Sequence, residues 1–266
     1  MGGYQHMLDK FFGITDAGSS VKTEIIAGIT TFLTLAYIIF VNPAILADAG
    51  MDKGAVFVAT CLAAAIGTMV MGVVANYPMA LAPGMGLNAY FTYGVVLGMG
   101  YTWQVGLGAV FISGVLFLIL SILPVREWII NAIPAGLKRA ISAGIGLFLA
   151  IIALKNAGWV VDHPATLVTL GDVGAPSALL AAAGFILLAV LDARKIPGAI
   201  IIAILAVTGA GVALGISPAG GLVSMPPSLA PTFMQMDIAG ALSIGLVSII
   251  FAFLFVDLFD TAGTLV

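Results

Sequence analysis

Long, nearly uncharged apolar runs separated by short polar stretches dominate the chain, and most of them approach the length of a membrane-crossing helix of about 20 residues. The first extends from about Ile25 to Leu46. Its end, Ile38-Ile39-Phe40-Val41-Asn42-Pro43, sets an asparagine before a proline that removes a backbone donor and loosens the helix. The second covers about Ala55 to Ala75, the fourth Trp103 to Leu123, the fifth Ala140 to Ala157, the sixth Ser177 to Leu191 and the seventh Pro197 to Ile216, and an eighth follows from about Ala239. The third is different. Asn76 to Phe91 is apolar enough for the membrane but holds Pro78, Pro83, Gly84 and Gly86, which rule out a continuous helix across Pro78 to Gly86. Extended backbone is expected there, then a half-helix starting near Asn88, an accepted N-cap type. Irregular backbone at membrane depth is tolerated only where protein buries it or a polar cavity hydrates it, so this stretch is a candidate site.

The connecting stretches complete the pattern. Residues 1 to 24, with Asp9, Lys10, Phe11, Phe12, Lys22 and Glu24, suit an interfacial lead-in on the membrane surface. A signal peptide is not expected, because the first apolar run is longer than an h-region and has no clear cleavage site. Val125 to Leu137, with Arg126 and Glu127, reads as a surface connection, 158 to 176 as a polar loop and 217 to 236 as a Pro- and Ser-containing loop. If the broken stretch 78 to 97 counts as one crossing, Lys10, Lys22, Arg126, Lys138, Arg139, Arg194 and Lys195 fall on one side and only Lys53 and Lys155 on the other. That asymmetry predicts a cytoplasmic N-terminus.

Composition agrees with an integral membrane protein: 62% hydrophobic and 8% charged residues, with a mean hydropathy of +1.21, against about 25% charged in soluble domains. The net charge of -3 gives no basic face for nucleic acid. The lone cysteine, Cys61, lies inside an apolar run and reads as a small buried residue, with no metal or cofactor site expected. Most of the 33 glycines read as close-packing positions, whereas Gly84 and Gly86 lie inside the predicted break.

The strongest chemical signal is Asp257-Leu258-Phe259-Asp260-Thr261-Ala262-Gly263-Thr264, at the end of the eighth run. Carboxylates at i and i+3 share one helix face, and each ionised group in a membrane span costs about 2.5 to 3.5 kcal/mol on insertion scales. Asp257 is therefore the main candidate for binding a ligand or relaying a proton. Asp260 is the second, with a solvated or capping role open to it. A half-helix N-terminus at Gly86 and Asn88 offers N-H donors and a positive dipole end, and with a carboxylate it suits a flat heterocycle carrying donors and acceptors. Tyr37, Asn42, Phe91 and Thr261 are candidate pocket residues, although aromatic packing and helix-end roles also account for Tyr37, Phe91 and Asn42. Two polar breaks in apolar spans are the pattern of a secondary transporter. An intramembrane aspartyl protease needs acids on facing elements, which an i, i+3 pair does not supply, and a channel favours rings of polar residues over one concentrated site.

Leu8-Asp9-Lys10-Phe11-Phe12, the run Thr23 to Pro43, Ala82-Pro83-Gly84-Met85-Gly86-Leu87-Asn88-Ala89-Tyr90-Phe91 and Val256-Asp257-Leu258-Phe259-Asp260-Thr261-Ala262-Gly263-Thr264 together resemble the AzgA-type purine permeases of the nucleobase transporter superfamily. The resemblance implies an all-α polytopic fold of fourteen spans in two inverted repeats of seven. Core spans 1 to 4 would occupy residues 25-123, gate spans 5 to 7 residues 124-236, and span 8, opening the second repeat, residues 237-266. It implies a permease in the inner or plasma membrane, not an enzyme, that imports adenine, guanine or hypoxanthine with a proton or sodium ion, with a second copy of the chain as a candidate partner. Gly86, Asn88 and Asp257 would contact the base, and Asp257 and Asp260 would serve coupling or transport rate. An anion or other small-solute transporter of the same fold is the alternative, against which stands the lack of a basic residue in either break. A chain reaching only to Val266 is expected to be a fragment lacking spans 9 to 14.

Overall fold

A computed structural model of the chain describes residue 9 and residues 11-123, 134-217, 224-243 and 247-264, with only the backbone described at 135, 137, 138, 141, 142, 145 and 260-264. Most of the expected lead-in before Asp9, and the connection carrying Arg126 and Glu127, lie outside the described residues.

Helix α1 (Val21–Leu35) starts at Ser20, whose hydroxyl accepts the Thr23 N-H at 3.2 Å and so satisfies one of the open donors of the first turn. Helix α2 (Ile38–Asp48) continues the same apolar run. The loosening expected at Asn42-Pro43 is seen upstream, at Ala36 and Tyr37, where Ile39 N-H bonds Ala36 and Phe40 N-H bonds Tyr37 in tight three-residue turns. Pro43 sits inside α2. Its missing N-H concerns the Ile39 carbonyl four residues earlier, so the tight turns at Ala36 and Tyr37 lie beyond its direct reach. Asp52 then caps α3 (Lys53–Val73), its carboxylate accepting the Ala55 N-H at 2.7 Å.

No helix forms between Asn76 and Gly84, and Asn76 itself takes a left-handed φ of 58°. Helix α4 (Met85–Ala89) begins after Gly84, which is extended at φ -71° and ψ 126° and provides the N-cap without a side chain. The expected start near Asn88 is thus corrected. The Asn88 N-H already bonds the Gly84 carbonyl, so Asn88 lies inside the first turn and its amide is not a cap. From Tyr90 to Gly98 the same helix widens into π-helical turns, a rare form often found at functional sites.

Helices α5 (Trp103–Ile122) and α6 (Ala135–Asn156) follow. The segment expected as a polar loop instead forms an antiparallel hairpin, β1 (Val160–His163) with β2 (Leu167–Leu170), pairing Val160 with Leu170 and His163 with Leu167. β-branched Val160, Val161, Val168 and Thr169 favour strand geometry, and the His163 ring nitrogen Nδ1 accepts the Ala165 N-H at 3.2 Å inside the turn. Helix α7 (Pro176–Ala193) opens on a proline, α8 (Ala199–Ala213) follows Gly198 in the left-handed region, and α9 (Ile238–Ala241) is capped by the Asp237 carboxylate. Helix α10 (Val247–Thr264) carries the two acids of the sequence motif. Among the described residues, four helical stretches are long and apolar enough to cross a membrane: 21-48, 53-73, 103-122 and 176-193. Large exposed side chains such as Leu118 and Ile122 on α5 suit a lipid-facing surface.

The chain divides into two compact units. The first comprises residues 1-41, 59-83 and 173-224. In it α7 packs on α8, with Gly184 leaving room for Val207, and α8 touches α1. The non-helical stretch is pinned within this unit by side chains: the Thr31 hydroxyl accepts the Ala80 N-H at 3.2 Å, the Thr68 hydroxyl accepts the Leu81 N-H at 2.9 Å, and the Asn76 amide donates to the Phe12 carbonyl at 2.7 Å. An apolar hollow of about 650 Å³ lies between this stretch, α1 and α3, bordered by Phe32, Thr60, Ala64 and Tyr77.

The second unit comprises residues 42-58, 84-172 and 225-266. Its core is built on α5, against which α9, α10 and the π-helical turns pack. Phe91, Val95, Ala109, Ala241, Ile249, Ile250 and Phe253 are buried together. Two glycines of α5 make this possible: the ring of Phe91 sits where a Gly106 side chain would be, and the Asp237 backbone sits where a Gly108 side chain would be. Gly108→Ala is expected to destabilise the protein by about 1–3 kcal/mol through overpacking against backbone that cannot swing aside. Gly114→Ala, in open space, serves as the control and should leave the melting temperature in detergent unchanged or slightly raised.

Candidate functional site

In the second unit the candidate residues assemble around the start of α4. Asn42, on α2, is 3% exposed, and its side-chain carbonyl accepts a hydrogen bond from the Asn88 amide. An unpaired buried amide costs about 1–3 kcal/mol, so the two asparagines stabilise one another across two helices. The pairing also leaves the Asn88 carbonyl as the acceptor that Asn88 can turn toward a ligand. Next to it, nothing stands within 4 Å of where a Gly86 side chain would be, so the backbone there is open to approach. The first-turn N-H groups of a helix have no partner within it and carry the positive end of its dipole. The start of α4 therefore offers donors from the backbone and an acceptor from Asn88.

Helix α10 reaches the same half-helix through its aromatic face. The Tyr90 ring lies against Gly94 and meets Phe253 edge to face, with centroids 5.1 Å apart at 71°. Asp257 follows Phe253 by one helical turn, on the face that buries Ile250, Phe253, Leu254 and Leu258, and is itself half-buried. The second unit thus contains Asn42, Gly86, Asn88 and Asp257, on α2, α4 and α10, with direct packing between α4 and α10. Phe91 is also here, buried against Gly106 in the core. Tyr37 belongs to the first unit, half-buried in the turn between α1 and α2. The side chains of Asp260 and Thr261, on α10, lie outside the described residues. Among the described residues, no group of three or more His, Cys, Asp or Glu is placed to hold a metal ion.

Several polar residues of this unit carry no distinct signal in the sequence. Thr92 and Ser113 are 0% and 1% exposed, in the π-helical turns and on α5, and among the described residues their hydroxyls have no hydrogen-bond partner. The Tyr93 hydroxyl donates to the Asp48 carboxylate at 2.7 Å. A threonine or serine in an apolar span looks like any small residue, and Asp48 reads simply as a charged helix end; only the fold brings them to the half-helix.

Helices of this length and hydropathy define a multi-pass membrane protein. Residues 22–266 match the model of the Permease family (Xan_ur_permease), and the chain belongs to that family. It is 60% identical over 259 residues to a putative permease of Methanocaldococcus jannaschii, covering 97% of this chain and 59% of that protein. It is 48% identical over 262 residues to the adenine permease AdeP of Escherichia coli, covering 98% of this chain and 59% of that one. With the guanine/hypoxanthine permease PbuG of Bacillus subtilis it shares 46% identity over 268 residues, covering 96% of this chain and 61% of that protein. The chain thus spans about 60% of the length of these curated relatives. They are named as permeases, which agrees with the expectation of a transporter and not an enzyme.

The asparagine pair leads to a measurable coupling. Asn42→Ala and Asn88→Ala should each lower stability in detergent, and the double variant should lose less than the sum of the two. A coupling of about 0.5–1.5 kcal/mol is expected in a double-mutant cycle. Additive losses would mean that the two amides do not depend on one another.

Proposed function

We propose that the protein of which this chain forms a part carries purine nucleobases across the cell membrane, with the N-terminus in the cytoplasm and a proton as coupling ion. The observation that carries this reading is the identity of 48% and 46%, over nearly the whole chain, with proteins named adenine and guanine/hypoxanthine permeases. The geometry supports it. A purine is planar and carries ring N-H groups and ring nitrogen acceptors along its edges. The Asn88 carbonyl and the open backbone at Gly86 supply an acceptor and donors of matching kind on a rigid helix start. Asp257 supplies a carboxylate that accepts from a purine N-H or takes up a proton, and Asp260, on the same helix, is assigned to coupling or transport rate.

A carboxylate that alternates between ionised and protonated forms explains coupling economically. In the ionised form it is costly at membrane depth and gains from a bound N-H donor. Protonation removes that cost while the carboxyl group keeps an acceptor oxygen for the purine N-H, so the site holding both base and proton is neutral and moves more easily than the empty, charged one. In this scheme the core is formed by spans 1 to 4 with span 8, the gate by spans 5 to 7, and an inverted second repeat completes both.

Uptake of radiolabelled adenine, guanine and hypoxanthine into cells expressing the protein and its Asp257→Asn variant, with and without an uncoupler, tests the reading. Uptake by the wild type should rise as external pH falls and collapse with the uncoupler. Asp257→Asn, with no titratable group, should lose at least about tenfold in transport, the loss of a charge-assisted hydrogen bond of about 1.5–3 kcal/mol, and lose its pH dependence. Unchanged pH-dependent uptake in the variant would remove Asp257 from the role given to it.

A further inference from the structure

We infer that the hydrogen bond from Tyr93 to Asp48 is a clamp that fixes the rotation and depth of the half-helix, making both residues positioning residues for the base; this rests on the nucleobase site proposed above.

The half-helix does not inherit its orientation from the chain before it. Asn76 to Gly84 is non-helical, so no continuous helix holds Gly86 and Asn88 in place, and tertiary contacts must do so. On one side these contacts are apolar and round: Phe91 against Gly106, Tyr90 against Phe253. Ring packing of this kind is less directional than a hydrogen bond, whose donor and acceptor must align. On the other side stand two directional bonds to a single helix, α2. Asn88 donates to Asn42, and farther along both helices Tyr93 donates to Asp48 at 2.7 Å. Both helices advance in the same sense from the first bond to the second. Two such bonds at different heights fix roll and slide together, whereas one alone leaves the helix free to pivot.

The π-helical turns explain how Tyr93 reaches. In an α-helix, at 3.6 residues per turn, residues five apart point well away from one another. Bonds of the i to i+5 type wind the helix more loosely, and the turns from Tyr90 to Gly98 bring position 93 back toward the face of Asn88. The choice of acceptor is equally telling. Asp48 is the last residue of α2, and no basic residue lies in that last turn. A carboxylate at a helix C-terminus is disfavoured by the dipole, so it gains from the phenolic donor more than a neutral residue would.

The clamp is tested with Tyr93→Phe, which removes one hydroxyl and keeps the ring, beside Asp48→Ala, the double variant, and Asp48→Asn, which keeps an acceptor. With membrane abundance matched by immunoblot, Tyr93→Phe and Asp48→Ala should each raise the KM for the transported purine about 3- to 10-fold while the maximal rate stays near wild type. The double variant should be no worse than either single, and Asp48→Asn should recover a KM close to wild type. A transport-independent readout uses Gly86→Cys in a background where Cys61 and any further native cysteine are replaced by Ser: Tyr93→Phe should change the rate of maleimide labelling at position 86 several-fold. An unchanged KM and labelling rate in Tyr93→Phe, or additive effects in the double variant, would overturn the clamp. Absence of purine uptake by the wild type would overturn the nucleobase reading alone, since the labelling rate still reports the position of the half-helix.

Discussion

A backbone that leaves helical geometry at membrane depth must find its hydrogen-bond partners in the protein, because hydrocarbon offers none. Asn76 to Gly84 leaves helical geometry between two apolar helices, and hydroxyls of the neighbouring helices supply partners for part of it. Thr31 on α1 and Thr68 on α3 turn their hydroxyls to the Ala80 and Leu81 N-H groups. The Thr31 hydroxyl accepts from Ala80 while donating to the Gly28 carbonyl of its own helix at 2.9 Å, and the Thr68 hydroxyl also donates to the Leu81 carbonyl at 3.3 Å, serving both backbone groups of one residue. The break is tolerated because these two helices stand beside it.

The same break creates a helix end where an unbroken span would have none. Placing the start of α4 at Gly84 leaves Gly86 open and puts Asn88 in the first turn, where its side chain is free for Asn42. Small residues on α5 then allow the half-helix and α9 to approach closely, and packing around Tyr90 and Phe253 carries α10, with Asp257, into the same unit. Apolar packing supplies proximity, and the polar bonds supply direction. In a binding site for a flat, donor- and acceptor-rich molecule the second matters as much as the first, since a small error in angle misaligns every bond at once.

The apolar runs, their approximate ends, the interrupted third span and the acids of the last one were legible in the sequence because each follows from local chemistry: hydropathy over a window, proline without a donor, a carboxylate too costly to leave in lipid without purpose. Four of the runs appear among the described residues as helices long enough to span. The motifs around Gly86, Asn88 and Asp257 also carried the family resemblance, which the match over residues 22–266 now establishes. Three features were read differently. The distortion near Pro43 falls upstream of it, the hairpin at Val160 to Leu170 replaces a loop, and the half-helix begins before Asn88. All three depend on which of several locally acceptable conformations the surroundings favour.

By itself, then, the sequence determined that this is a multi-pass membrane protein, that one of its apolar stretches could not stay helical throughout, and which polar residues stand inside the apolar runs. Only the tertiary structure decided how those residues are used. Asn42 and Asn88 lie far apart in the chain and bond across two helices, as do Asp48 and Tyr93. Thr92 and Ser113 become buried polar groups only through packing on α5. Hydropathy is a property of a window of residues and survives in one dimension. A hydrogen bond needs two partners at about 2.9 Å with aligned dipoles, and for residues distant in sequence that geometry exists only once the helices have packed.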